Sequence, residues 1–207
     1  MEQRSDEWFA ARVGKVTASR VSDVVARTKS GYGASRANYM AELLIERITG
    51  RPTEKFSSPA MVWGTETEEQ ARSEFEGATG LLVLETGFVP HPYIAGSGAS
   101  PDGLIGNYGL VEIKCPNSAT HIETILSETV PEKYVTQMMW QMACTGRQWC
   151  DFVSFDPRMP HPEMRLIVLR VKRDQQRIAA LESEVIKFLA ELDEKVAKFN
   201  KKYGKDK

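Results

Sequence analysis

Cysteine is scarce in this sequence, with three in 207 residues. Cys115, Cys144 and Cys150 have neither the number nor the spacing of a tetrahedral zinc site or a four-cysteine iron–sulfur cluster. We therefore predict three reduced, mostly buried thiols. The three histidines are scattered along the chain, and none is assigned to a metal.

Long apolar runs are also absent, and the chain begins Met-Glu-Gln-Arg. The sequence thus predicts no secretory signal and no membrane span, and we expect a cytoplasmic protein. No charge of one sign dominates, because 27 Lys and Arg stand against 28 Asp and Glu, for a net charge of −1. A nonspecific DNA-binding monomer usually carries a basic excess, so DNA binding would require a local basic groove or another way of staying on DNA.

One α/β domain spanning 1–207 is the simplest organisation for a chain with 42% hydrophobic residues. Periodicity predicts helices near 6–12, 17–26, 35–49, 61–76 and 132–145, then a closing amphipathic helix. It predicts strands near 81–90, 93–97, 103–106, 109–114, 149–155 and 164–171. We expect a mixed sheet flanked by helices, a mobile loop at 30–35 and a frayed tail at 198–207. The closing helix is predicted to pack on its own sheet, with subunit contact as the alternative.

Two acids and a lysine stand out in one short segment, Ser100-Pro101-Asp102-Gly103 followed by Glu112-Ile113-Lys114. The run 110–114 predicts a strand whose successive side chains point to opposite faces, so Glu112 and Lys114 share one face about 6.6 Å apart. Asp102 lies in a turn, and the segment 106–109 predicts a hairpin connection that returns Asp102 beside Glu112. Two carboxylates and an ammonium group are thus expected at one point.

Like charges at that point need compensation. Two carboxylates about 4 Å apart repel by roughly 4 kcal/mol at an effective dielectric near 20, so they should take up a proton or bind a hard divalent cation. Oxygen ligands favour Mg²⁺ or Mn²⁺ over zinc. Lys114 would then orient or polarise a water for attack on phosphorus. The alternative is a surface turn followed by an edge strand with a solvated Glu112–Lys114 pair.

Glu68 is the anomaly of the predicted helix 61–76. Apolar or small residues at spacings of three and four form a stripe that includes Ala71 and Phe75, and Glu68 lies on the same stripe. A carboxylate there is expected to be paired or metal-bound. Its alternative partner is Arg72, one helical turn later.

Polar side chains on other predicted helices are further candidates. Gln137 and Gln141 lie next to a methionine cluster that we expect to be buried, where a glutamine is able to contact a nucleotide or a metal-bound water. Arg12 lies on the last turn of a short predicted helix, where an arginine commonly interacts only with the helix dipole. Ser19 lies at the start of the next predicted helix, and helix N-termini bind phosphate through free amide groups.

With these pieces in order, the sequence resembles the PD-(D/E)xK nuclease superfamily and, within it, the lambda exonuclease (YqaJ) branch of phage-type recombination exonucleases. The resemblance covers most of the chain. It rests on Trp8-Phe-Ala-Ala-Arg12, Val16-Thr-Ala-Ser19, Trp63-Gly64 with Glu68, Ser100-Pro-Asp102-Gly103, Glu112-Ile-Lys114-Cys-Pro116, Gln137 and Phe155-Asp-Pro-Arg-Met159. It implies a restriction-endonuclease-like core with a mixed β-sheet flanked by helices.

The resemblance implies a role for each matching residue of the catalytic centre. The metal ligands would be Glu68, Asp102, Glu112 and the backbone carbonyl of Ile113. Lys114 would position the nucleophilic water, and Gln137 would support the site.

A second group of residues would bind the 5′ phosphate of a DNA end. By resemblance these residues are Arg12, Ser19 and Lys29, so the N-terminal helical part, about 1–50, would hold the DNA end. Lys29 stands where an arginine is expected, and a lysine offers a point charge without the bidentate fork of a guanidinium.

The implied function is a Mg²⁺-dependent 5′→3′ exonuclease. It would degrade one strand of linear double-stranded DNA to mononucleotides and leave a 3′ single-stranded tail for phage-type recombination. Two Mg²⁺ ions are expected, with Mn²⁺ as a substitute. The resemblance also implies a ring-shaped homotrimer and a single-strand annealing protein as partner. The alternatives are an endonuclease on the same core, restriction-like or structure-specific, and a catalytically inactive DNA-binding protein.

Overall fold

The structure is a computed structural model that describes residues 2–53 and 58–204. Its α-helices are α1 (Asp6–Arg12), α2 (Val21–Val25), α3 (Ala34–Thr49), α4 (Pro59–Thr79), α5 (Ser118–Ser127), α6 (Glu132–Thr145) and α7 (Gln175–Tyr203). Its strands are β1 (Val16–Thr17), β2 (Arg27–Thr28), β3 (Gly31–Tyr32), β4 (Val83–Leu84), β5 (Val89–Pro90), β6 (Ser97–Ala99), β7 (Gly103–Ile105), β8 (Gly109–Lys114), β9 (Trp149–Phe155) and β10 (Leu166–Lys172). None of the helices within these described ranges is long and apolar enough to cross a membrane.

The main sheet has five strands in the order β10-β9-β8-β7-β4. The β8 and β9 strands are parallel, and the other neighbours are antiparallel. A parallel pair needs a long crossover connection, which α5 and α6 provide between β8 and β9. The predicted α/β fold with a mixed sheet flanked by helices is confirmed.

Strand β8 is buried on both faces because a helix covers each one. Val111 and Ile113 belong to a core cluster with Ala71 and Phe75 of α4. Leu110 belongs to a second cluster, which includes the α6 methionines Met138, Met139 and Met142. Alternation along β8 therefore assigns the two helices to opposite faces of the sheet, and polar residues of β8 that face α6 are enclosed.

Several predicted elements differ from the structure. The strand predicted at 81–90 is two short strands, β4 and β5, in different sheets, and only Ser97 of the strand predicted at 93–97 is in a strand. The helix predicted at 17–26 begins as strand β1 and a 3₁₀ turn, because Val16 and Thr17 pair with β6. Helix α5 was not predicted. These elements are too short for a hydrophobic period to define them.

The segment predicted as a mobile loop at 30–35 contains β3, which forms a hairpin with β2. The hairpin is tied to α7, because the Tyr32 hydroxyl donates to Glu184 at 2.6 Å and Arg27 pairs with Glu184 at 3.3 Å. The long-range anchor explains why a glycine-containing stretch adopts a regular structure here.

The closing helix α7 packs mainly against α2, α3 and α6 rather than on the sheet. It also continues to Tyr203, past the start of the tail predicted to be frayed at 198–207. The Phe199 and Tyr203 rings lie 5.1 Å apart at i and i+4, and lysines in the last turn complement the helix dipole. Residues 205–207 of that predicted tail lie outside the described residues.

A pair of glycines tests the packing of the sheet. A Cβ added to Gly109 of β8 would lie 2.2 Å from the Trp149 ring, which is itself covered by the Arg170 guanidinium at 3.6 Å. We expect Gly109→Ala to lower the free energy of unfolding by about 1–3 kcal/mol through overpacking. The matched control is Gly77→Ala in α4, where no atom lies within 4 Å of the added Cβ, and it should raise stability by about 0.5–1 kcal/mol. Urea denaturation measures both, and a Gly109→Ala protein as stable as the wild type would contradict the packing.

Candidate functional site

The β7–β8 hairpin brings Asp102 to the end of β8. Gly103 pairs with Val111 across the hairpin, so the turn before β7 lies against the C-terminal half of β8. The Asp102 carboxylate accepts a hydrogen bond from the Ile113 backbone N–H at 2.7 Å. This is the return of Asp102 toward Glu112 that the segment 106–109 predicts.

Glu112 is fully buried on the face of β8 that α6 covers. One carboxylate oxygen accepts a hydrogen bond from Gln137 Nε2 at 2.6 Å and forms an ion pair with Lys114. The other oxygen accepts from Gln141 Nε2 at 2.5 Å. A buried carboxylate requires such donors, because an uncompensated charge in the interior is costly. Gln141, whose part in the site the sequence leaves open, is therefore a direct partner of Glu112.

Lys114 connects this buried acid to solvent. Its side chain is 28% exposed, and its ammonium lies 5.4 Å from the centre of the Tyr134 ring. Burial lowers the Lys114 pKa, but the carboxylates of Glu112 and Asp102 outweigh it and hold the pKa above its usual value. The raised pKa favours the ammonium form of Lys114 in the metal-free protein, which is suited to orienting a water or stabilising negative charge rather than to accepting a proton.

Whereas the surroundings of Lys114 favour its charged form, those of Asp102 favour its neutral form. Burial first, and then the negative charges of Glu112 and Glu68, raise the pKa of Asp102 to about 8, against the lowering effects of Lys114 and the Ile113 N–H. The three carboxylates therefore lie close enough for Asp102 to respond to the other two. In the absence of an added cation, Asp102 holds a proton at neutral pH.

Glu68 reaches the same region from α4, but it is engaged by two arginines. Arg4 lies 2.6 Å from one carboxylate oxygen, and Arg72 lies 3.7 Å from the other. The alternative pairing with Arg72 is therefore present, although Arg4 is the closer partner. Within residues 2–53 and 58–204, no three His, Cys, Asp or Glu side chains converge closely enough to hold a metal ion.

The donors at the end of β8 nevertheless have the chemistry of a hard-cation site. Asp102 and Glu112 offer carboxylate oxygens, and such oxygen donors suit Mg²⁺ or Mn²⁺. A divalent cation would also offset the burial and the carboxylate repulsion that raise the Asp102 pKa. The residues present therefore fit such an ion, provided that Glu68 exchanges its contact with Arg4 for the metal.

One cleft of about 870 Å³ is lined by Glu68, Ile113, Lys114 and Gln137, whereas Asp102 and Glu112 are not part of its lining. Its lining combines acidic, basic and aromatic side chains with backbone of the β8–α5 connection. The lining residues that bear on the chemistry are Arg4, Ser19, Trp63, Glu68, Ile113, Lys114, Lys133, Tyr134, Gln137 and Arg158. A groove with several cations and two aromatic rings is suited to a nucleic-acid strand.

Arg12 lies beside the turn that carries Asp102. Its guanidinium donates to Ser100 Oγ at 2.9 Å and stacks over the Trp8 ring, 4.1 Å from the ring centre. Trp8 Nε1 donates to the same Ser100 hydroxyl at 2.9 Å. Burial lowers the Arg12 pKa. Arg12 is therefore in the last turn of α1 but directed at the site, and it has N–H groups to offer an anion.

The other predicted phosphate-binding residues are not grouped with Arg12. Ser19 is exposed and lines the cleft. Lys29 is exposed at the tip of the β2–β3 hairpin and does not line the cleft. The structure therefore brings Ser19 toward the site and leaves Lys29 outside it.

Two arginines of the cleft were not singled out from the sequence. Arg158 pairs with Asp156 at 2.7 Å, donates to the Pro116 carbonyl at 3.1 Å and lies over the Trp63 ring. Arg4 contacts Glu68. The Phe155-to-Met159 motif offered a signal for Arg158, whereas Arg4 carried none because its partner is 64 positions away in the sequence.

Comparisons of this chain with a family profile and with solved structures agree with each other. The profile of the YqaJ-like viral recombinase domain matches residues 7–148. Two structures of LHK-Exo, an alkaline exonuclease from Laribacter hongkongensis, are 52% identical to this chain and cover 97% of it and 98% of their own chains. Their TM-scores are 0.91, for a complex with dAMP, and 0.90. A phage-related exonuclease from Haemophilus somnus 129PT shares the fold, with a TM-score of 0.73 at 16% identity. The match covers 89% of this chain and 96% of that one. Among curated proteins, none matches the chain.

The raised Asp102 pKa predicts a pH dependence of stability in the metal-free protein. Between about pH 4 and pH 8 the folded state keeps a proton on Asp102 that the unfolded chain has released, so stability falls as pH rises through this window. Asp102→Asn removes this titration, and the new amide oxygen still accepts from the Ile113 N–H. In a chelator, we expect the wild type to lose about 1–3 kcal/mol more than Asp102→Asn between about pH 5 and pH 9, measured by urea denaturation. Equal losses would show that Asp102 is ionised throughout.

Proposed function

Because the chain belongs to the YqaJ-like viral recombinase domain family and is a homologue of an alkaline exonuclease, we propose that it is a metal-dependent 5′→3′ exonuclease on double-stranded DNA. It releases mononucleotides from one strand and leaves a 3′ single-stranded tail for phage-type recombination. The observation that carries the proposal is the meeting of Asp102, Glu112 and Lys114 at the end of β8, where Lys114 reaches a cleft with a cationic and aromatic lining.

The metal-binding residues in this proposal are Asp102, Glu112, Glu68 and the Ile113 carbonyl, and the ion is Mg²⁺, present as a pair and replaceable by Mn²⁺. When bound, Mg²⁺ supplies Lewis-acid stabilisation of the oxygens that carry charge in phosphodiester hydrolysis. Gln137 and Gln141 hold the Glu112 carboxylate in one orientation. A fixed ligand orientation matters because partners behind a ligand tune its affinity for metal.

Lys114 acts on the water and the phosphate. Its ammonium is held by Glu112 and reaches the cleft surface. As an ammonium, Lys114 orients the attacking water and stabilises the negative charge that builds up on the phosphate oxygens. Trp63 and Tyr134 add aromatic surface to the lining of the cleft.

Arg12 supports the proposed 5′ polarity. Arg12 is fixed by Trp8 and Ser100, and Ser100 is two positions from Asp102. A terminal phosphate bound by Arg12 and Ser100 would therefore place the first phosphodiester near the carboxylates. Ser19 lines the cleft and is a further phosphate-binding residue in this proposal, whereas Lys29 is exposed and outside the cleft lining and is left out of it. The N-terminal part, about 1–50, thus holds the DNA end, and the dAMP complex of LHK-Exo supports mononucleotide release.

The proposed assembly is a homotrimeric ring in the cytoplasm. A net charge of −1 provides little nonspecific attraction to DNA, and enclosure of the duplex by a ring would compensate for it. The proposed protein partner is a phage-type single-strand annealing protein that coats the 3′ tail. Sedimentation measures the oligomeric state, and a monomeric mass would count against the homotrimer.

The central test is digestion of linear duplex DNA in Mg²⁺, labelled separately at its 5′ and 3′ ends. We expect rapid mononucleotide release from the 5′ end, and Lys114→Ala should slow it by roughly 10²–10³-fold because a group that stabilises transition-state charge is lost. Lys172→Ala, which removes an exposed charge at the end of the edge strand β10, is the control and should keep full activity. Cutting of a covalently closed circular plasmid would indicate an endonuclease, and binding without cutting would indicate an inactive DNA-binding protein.

The second test concerns the DNA end. Arg12→Ala should abolish the preference for 5′-phosphorylated over 5′-hydroxyl ends, because a charge-assisted contact to the terminal phosphate is removed. Initial rates on the two substrates measure the preference, and the rate on the hydroxyl end should change much less than the rate on the phosphorylated end. A retained preference would show that another group reads the phosphate.

A further inference from the structure

The N-terminal strap, residues 2–5, is fastened to the turn that carries Asp102. Gln3 Nε2 donates to the Thr86 carbonyl at 2.8 Å and to the Pro101 carbonyl at 2.7 Å. Ser5 caps helix α1 by accepting from the Trp8 N–H. The strap is thus held on both sides of Arg4, whose backbone has a φ of 68°, in the left-handed region. Such a conformation is uncommon for a non-glycine residue, and here it accompanies an Arg4 side chain that lies in the cleft.

Arg4 takes the position of a counter-cation at Glu68. Its guanidinium lies 2.6 Å from the Glu68 carboxylate, while half of its side chain remains exposed. Glu68 is the third acid of the proposed metal site, and in this arrangement it does not converge with Asp102 and Glu112. A divalent cation and the Arg4 guanidinium would therefore compete for the same carboxylate.

If Arg4 left Glu68, Glu68 would still have Arg72 as a partner. Arg72, four residues along α4, lies 3.7 Å from the other Glu68 oxygen and also pairs with Glu85. Glu68 therefore does not depend on Arg4 for neutralisation. The freed guanidinium would remain at the cleft, since Gln3 and Ser5 hold the backbone on either side of it.

A phosphate of a DNA strand in that cleft is an anion that a displaced Arg4 is able to contact, besides Glu69 and Glu85, which border a second cavity with it. Two other cations of the lining already have acid partners, Lys114 with Glu112 and Arg158 with Asp156. A guanidinium binds phosphate well because its planar N–H fork matches two oxygens. Arg4 is therefore suited to contact the backbone once it leaves Glu68.

We propose that Arg4 is a DNA-backbone-binding residue which rests on Glu68 in the metal-free protein and transfers to a phosphate when a divalent cation binds Glu68. This inference rests on the proposed metal-dependent nuclease function. It predicts that metal and DNA favour each other's binding, because both draw Glu68 and Arg4 apart. The competing explanation is a surface ion pair of little consequence.

The first measurement is Mn²⁺ binding without DNA, by titration calorimetry, to the wild type and to Arg4→Gln. Loss of the competing guanidinium should tighten Mn²⁺ binding by about 3–10-fold. Lys201→Gln, which removes an exposed charge on α7, is the matched control and should leave the affinity unchanged. Unchanged Mn²⁺ binding in Arg4→Gln would overturn the exchange, and weaker binding would do so too, since it would make Arg4 a group that positions Glu68 for the metal.

The second measurement is DNA affinity as a function of salt, in Ca²⁺ under conditions where the duplex stays intact and in a chelator. In Ca²⁺, Arg4→Gln should weaken DNA binding by about 5–10-fold. It should also reduce the slope of log affinity against log salt concentration by about 1, the value for one lost phosphate contact. In the chelator, the slope should not change. Arg4→Lys should retain the slope. A slope that Arg4→Gln leaves unchanged in Ca²⁺ would overturn the proposal alone, whereas a wild type that binds no Mn²⁺ and degrades no DNA would overturn the proposed function and this inference together.

Discussion

The site is organised by one electrostatic constraint, the need to compensate the carboxylates around the end of β8. Glu112 is fully buried, and its oxygens are paired with Lys114 and two glutamines. Asp102 responds by holding a proton, and Glu68 responds by pairing with arginines. Each acid therefore avoids an uncompensated charge in a different way. The elements around β8 position the partner groups that make this possible.

The architecture meets this constraint by using both faces of one strand. Alternation in β8 directs Val111 and Ile113 to the apolar contact with α4, and it directs Glu112 to α6, where two glutamines one turn apart reach its oxygens. The hairpin with β7 then adds Asp102 at the strand end. Apolar packing on one face thus makes the orientation of the acid on the other face rigid, which a ligand for a hard cation requires.

Local patterns predicted the parts of this arrangement that depend on neighbours in sequence. The period of two in 109–114, the turn at Asp102 and the methionine face of α6 all describe contacts within a strand, a hairpin or a helix. Sequence could not identify Ser100 as the partner of Arg12, or Arg4 as the partner of Glu68, because those residues are 88 and 64 positions apart. For the same reason the short strands β4 and β5 were merged in the prediction, since only their partners in space assign them to different sheets.

The pairing of cleft cations with acids bears on how a chain with a net charge of −1 would hold DNA. Arg4, Lys114 and Arg158 all line the cleft, and each is neutralised by a carboxylate. The attraction of the metal-free cleft for phosphate is therefore weaker than its count of basic residues suggests. Under the proposed function, divalent cations at Asp102, Glu112 and Glu68 would both add positive charge and release part of the charge already there. Affinity for DNA would then be greatest in the state that is able to cut it, which reduces the need for a permanently basic surface.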